Sequence, residues 1–138
     1  METPQVYKNF NEDKTIEEFE YNISNDIRNL ENFKFELNFF KMLLDKPIFK
    51  PHAMNIFEKL QEFKNEISVL NKSNSSLIDE LNSHAHKIRG KIECEDLACD
   101  NFFIQYQVDL ENKIFNHKIK IFDFKFTLFQ YVESVIIN

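Results

Sequence analysis

From Ile56 to Ile88 one register never breaks step. Ile56, Leu60, Phe63, Ile67, Leu70, Asn74, Leu77, Leu81, His84 and Ile88 follow one another at alternating intervals of four and three residues, with Lys91 or Ile92 next in line. Such a heptad seam places all of these side chains on one stripe of an α-helix, whereas a strand would scatter them over both faces. The seam passes straight through Asn71-Lys-Ser-Asn-Ser-Ser76, whose composition alone suggests a loop, and Ser76-Leu-Ile-Asp79 resembles a capping box able to start a new helix. A break followed by a restart would keep the phase only by coincidence. The spacing therefore predicts one helix over residues 52 to 93, about 63 Å long. A kink or break near 72–76 would turn three helices into four.

A single stripe of this length must be covered by other helices, and two further segments have the pattern to do so. Ile16, Phe19, Ile23, Ile27, Leu30, Phe33, Leu37, Phe40 and Leu44 line a face of a helix running to about Asp45. Pro47 and Pro51 stop it, with Pro51 suited to the first position of the next helix. After a second reversal at 93–100, where Asp96 is a candidate N-cap and Asp100 a first-turn acid, Phe103, Tyr106, Leu110, Ile114, His117, Ile121, Phe124, Leu128, Val132 and Val135 suit a helix from Leu97 to Ile137. Residues 118–129 also alternate at strand period, but an isolated strand would leave its ladder groups unpaired. The expected fold is all-α: an antiparallel bundle of three long helices over residues 15–138, preceded by a flexible arm at 1–14. With turns centred near 48 and between 95 and 96, Asn74 falls level with Asn22–Ile23 on the first helix and with His117 on the third. The two polar seam residues would then form one buried polar layer that fixes register, and replacing Asn74 by leucine would stabilise the fold while loosening that register.

Charge and composition narrow the function classes. A net charge of −6 opposes nonspecific nucleic-acid binding. No apolar run approaches the roughly 18 residues of a membrane span, and the first residues lack a signal-like apolar core, so the expected location is cytoplasmic, with Cys94 and Cys99 as reduced thiols. These cysteines do not pair with His84 and His86 as a metal site. His86 lies about 12 Å along a continuous helix from Cys94, and C-x4-C lacks the spacing of structural zinc. No nucleophile–base pair and no glycine-rich phosphate loop is present, so neither an enzyme nor a cofactor is expected.

Two stretches remain. In the last segment the polar residues crowd one narrow arc, leaving Phe115, Ile119, Phe122, Phe126 and Phe129 on a second apolar face. In a three-helix bundle that surplus face marks a subunit interface, with a homodimer or another protein as partner and no membrane. The second stretch, His86-Lys87-Ile88-Arg89-Gly90, holds the only glycine of the chain. It resembles the H-x-L-K-G pattern of histidine-containing phosphotransfer domains, helical bundles that pass a phosphoryl group between a surface histidine and a receiver aspartate. It is also similar to the phosphoacceptor box of sensor kinases, in sharing its His, Ile and Arg. The resemblance implies His86 as phosphoacceptor, Arg89 as the neutralising cation and Gly90 as room for the docking partner. Lys91, Ile92 and Glu93 depart from the small residues usual after that glycine. The leading expectation is a non-enzymatic bundle acting by self-association or protein–protein interaction, with phosphorelay through His86 as the alternative.

Overall fold

The computed structural model describes residues 6–9, 16–90 and 97–138, side chains at 16 and 97–100 excepted. Three helices make up nearly all of it: α1 (Ile16–Leu44), α2 (Ile56–Gly90) and α3 (Leu97–Val135). The all-α three-helix bundle is thus the fold. α2 is unbroken through 71–76, and its buried residues are the heptad seam from Ile56 to Ile88. Residues 118–129 are helical as well, because α3 there buries Ile121, Phe124 and Leu128 against the other helices.

Cross-helix bonds fix the topology. Asp45 pairs with Lys64 and Asn38 with Asn71, so α2 descends along α1. Asn74 with His117, Glu80 with Lys113 and His84 with Gln107 make α3 antiparallel to α2. α1 and α3 therefore run parallel, and Phe33–Phe122, Glu36–Lys125 and Phe40–Phe129 climb together. The core is a single cluster of buried aliphatic and phenylalanine side chains from all three helices.

Several boundaries differ from expectation. α2 begins at Ile56, not at 52, and Pro51 lies in a turn rather than at a first helical position. Asn55, at φ 56°, turns the chain in the left-handed region that asparagine tolerates, and its carbonyl accepts the Lys59 amide at 2.9 Å to open the helix. Because residues 45–55 are spent on this connection, Asn74 meets Leu30 of α1 rather than Asn22–Ile23, a shift of about two turns. α3 stops at Val135, not at Ile137, because its end is tied to the α1–α2 connection. Lys50 N donates to Val135 O at 2.7 Å, Ile137 N donates to Ile48 O at 2.8 Å, and Phe49 and Ile136 form an antiparallel bridge. The expected N-cap at Asp96, the continuation of α2 through 91–93, the Cys94 thiol and most of the 1–14 arm lie outside the described residues, as do the side chains of Cys99 and Asp100.

Candidate functional site

Two polar layers cross the apolar core. In the first, Asn74 Nδ2 donates to the Leu30 carbonyl at 2.7 Å, which leaves Asn74 Oδ1 to accept from His117 Nε2 at 3.0 Å. The expected Asn74–His117 pair is present, and the carbonyl of α1 completes it. The ring of His117 also meets Phe33 edge-on at 6.4 Å. Burial, and after it the charge of Lys120, holds the His117 imidazole below its ordinary 6.5.

The second layer lies toward the other end of α2. His84 is wholly buried, and its Nε2 is 2.8 Å from Gln107 Oε1. Gln107 Nε2 donates to Glu111 Oε1 at 2.8 Å, so its oxygen must accept and the His84 proton sits on Nε2. Tyr7, which lies over Phe115 at 5.6 Å, donates its hydroxyl to the other oxygen of Glu111. Burial and the Glu111 carboxylate raise the Tyr7 phenol. His84 Nδ1 is buried without a partner, and the Tyr106 ring stands 4.8 Å away. A second proton on His84 would thus be an unsatisfied buried N–H, and burial holds this imidazole low as well. Gln107 escaped the sequence pattern because it is polar. Stepping back from His117 by threes and fours through Ile114 and Leu110 reaches Gln107, which is buried where Tyr106 had been assigned an inward place and is only half-buried.

His86, Arg89 and Gly90 are all exposed on the last turns of α2, with Lys87 beside them, while His84 points inward. A Cβ on Gly90 would meet no atom within 4 Å, so nothing inside the described fold requires glycine there. Of the α3 face, Phe115 and Ile119 are half-buried, Phe115 beneath Tyr7, whereas Phe122, Phe126 and Phe129 are 57%, 64% and 51% exposed. Residues 33–44 of α1 are, like α3, apolar around more than one stripe, and they add Phe35, Phe39 and Met42 to the exposed apolar surface. Phe39 stacks edge-on with Phe40, which in turn meets Phe129 at 5.4 Å, so the α1 and α3 surfaces are continuous. Among the described residues no group of three or more His, Cys, Asp or Glu is placed to hold a metal ion, and no helix is long and apolar enough to cross a membrane. In comparisons with protein-family models, curated proteins and solved structures, nothing matches this chain.

The geometry revises what leucine at position 74 should do. Asn74→Leu strands the His117 N–H, so we expect a loss of roughly 1–3 kcal/mol in urea unfolding. The double variant Asn74→Leu, His117→Leu should recover part of it, giving a clear coupling term in the cycle.

A second expectation concerns pH. Burial holds both imidazoles below 6.5 in the folded chain, whereas they titrate near 6.5 when unfolded. The unfolded state therefore binds more protons as pH falls below about 6.5, and the stabilisation present above that pH should be lost as pH falls through the lowered folded-state values. His84→Gln with His117→Gln should flatten the urea midpoint across that window.

Proposed function

We propose that the protein is a non-enzymatic helical bundle that acts by self-association, as a homodimer formed through the aromatic surface of α1 and α3. The observation that carries this reading is the exposure of Phe122, Phe126 and Phe129 on α3 together with that of Phe35 and Phe39 on α1, the latter pair 71% and 52% exposed. At about 200 Å² per phenylalanine, these fractions leave roughly 600 Å² of aromatic surface in water. That is at the top of what a monomer ordinarily exposes and near the roughly 800 Å² that one partner contributes to a stable interface. A twofold contact would set the parallel α1–α3 pair of one protomer against the same pair of its partner, a self-complementary arrangement of apolar stripes. Lys125 lies across the stripes, 2.9 Å from Glu36 and 5.2 Å from the Phe122 ring centre, so its charge is neutralised within the protomer and need not oppose the contact. The reading assumes a cytoplasmic setting, with packing of the coiled-coil kind between protomers.

Sedimentation equilibrium tests it. The native chain should be dimeric at micromolar concentration, and Phe122→Glu with Phe126→Glu should give a folded, soluble monomer. A native monomer at high concentration would instead assign this surface to a different protein.

A second reading keeps His86 as a phosphorelay acceptor, supported by the exposure of His86, Arg89 and Gly90 on one end of α2 and by the open space at Gly90. In this reading the phosphoryl group leaves a receiver aspartate as its O–P bond breaks and an N–P bond forms on His86. Acid-labile label should then pass from a phosphorylated receiver domain to the native chain and not to His86→Gln. Label that persists in His86→Gln excludes this role for His86.

A further inference from the structure

The α2 stretch Asn71–Ser76 is the poorest helix-forming run in the bundle, and its helicity needs a reason beyond the seam. Asn74 belongs to the core, but Ser73 and Ser76 are exposed and gain nothing from burial; alanine would suit the helix better at both. Their hydroxyls also differ from that of Ser68 on the same helix, which donates to the Lys64 carbonyl at 3.2 Å. Among the described residues neither Ser73 nor Ser76 has such a partner. Both line a groove of about 510 Å³ between α2 and α3, together with Lys72, Lys113, Asn116, His117 and Lys120.

The charges of this groove run against the rest of the molecule. The chain carries net −6, yet three lysines converge here. Lys113 is met by Glu80 at 3.3 Å, while among the described residues Lys72 and Lys120 have no acidic partner. The α2–α3 register set by Asn74–His117 and Glu80–Lys113 brings Lys72 level with Lys120 along the bundle, so two lysines without an acidic partner among the described residues line the same groove. Their summed positive charge favours an anion in the groove. The floor is prepared in the same sense. The serine hydroxyls and the Asn116 amide supply donors, and small side chains on α2 keep the groove open. His117, held by Asn74 at its Nε2, is also among the groove's lining residues.

From these features we infer that the α2–α3 groove is a binding site for a small phosphate-bearing ligand, its phosphoryl oxygens held by Lys72 and Lys120 and by the hydroxyls of Ser73 and Ser76. Ammonium groups and hydroxyls along an open groove suit a phosphate dianion, which takes charge-assisted hydrogen bonds from several directions. A volume of this order has room for more than the phosphoryl group alone.

The test is NMR titration of the full chain with inorganic phosphate and, separately, inorganic pyrophosphate, against sodium chloride at matched ionic strength. We expect saturable shifts at the Ser73, Ser76 and Asn116 amides and the His117 ring, absent with chloride. Lys72→Glu and Lys120→Glu should each weaken binding by about tenfold or more, while Lys59→Glu, on an exposed stretch of α2 outside the groove, should leave it unchanged. Ser73→Ala with Ser76→Ala gives a readout that a merely structural role would not produce: thermal stability should rise while affinity falls. Pyrophosphate binding alone still supports the site and selects a diphosphate ligand. Shifts spread evenly over all lysines, no saturable response to either anion, or equal affinity in Lys72→Glu and Lys120→Glu would overturn the inference.

Discussion

One hydrogen-bonded layer touches all three helices. Asn74 of α2 reaches the Leu30 carbonyl of α1 with its amide nitrogen and the His117 ring of α3 with its oxygen. Apart from the His84–Gln107 pair, the remaining core contacts are apolar and tolerant of sliding by a turn, since one leucine or phenylalanine layer resembles the next. A buried amide is not tolerant. Moved one turn along, it would face hydrocarbon on both sides and forfeit its bonds at a cost comparable to a sizeable share of a small domain's net stability. The placement of Lys113 near Glu80, of Gln107 near His84 and of Lys125 near Glu36 follows from this single registration.

Much of the fold was legible because the seam of α2 is a local property of the sequence. Ten positions in phase are enough to override the loop-like composition of residues 71–76. The Asn74–His117 pair was legible too, because both residues sit in seams and little sequence separates the end of α2 from the start of α3. The α1–α2 register was not. A connection holding two prolines and an asparagine in the left-handed region consumes length that helix periodicity cannot count, and the error of two turns lies entirely there. Gln107 shows a different limit. Selecting inward residues by hydrophobicity chose Tyr106, whereas the phase alone would have chosen Gln107, whose burial is paid back by His84 and Glu111.

The surplus of phenylalanine has two separate uses. Phe33, Phe40, Phe63 and Phe124 are buried and pack among the leucines and isoleucines of the core. Phe122 and Phe129 straddle the boundary, meeting Phe33 and Phe40 edge-on while keeping half or more of their surface in water. Aromatic rings suit this position because their edges satisfy a neighbouring ring as their faces remain free for another surface. The α1–α3 side is therefore both the outer wall of the core and an exposed surface, while the α2–α3 side carries lysines and serines. The two sides of α3 present opposite chemistry.

The tie between the α1–α2 connection and the end of α3 bears on how the bundle opens. Lys50 and Ile137 bond to carbonyls far away in the sequence, so their amides are shielded only while α3 is seated on both other helices. Loop amides ordinarily exchange with solvent by local fraying, on a timescale unrelated to the core. Here two connection and tail amides inherit the opening rate of α3 instead. The weakest-looking part of the chain, a proline-bearing turn without helix or sheet, thereby becomes a sentinel of the cooperative unit.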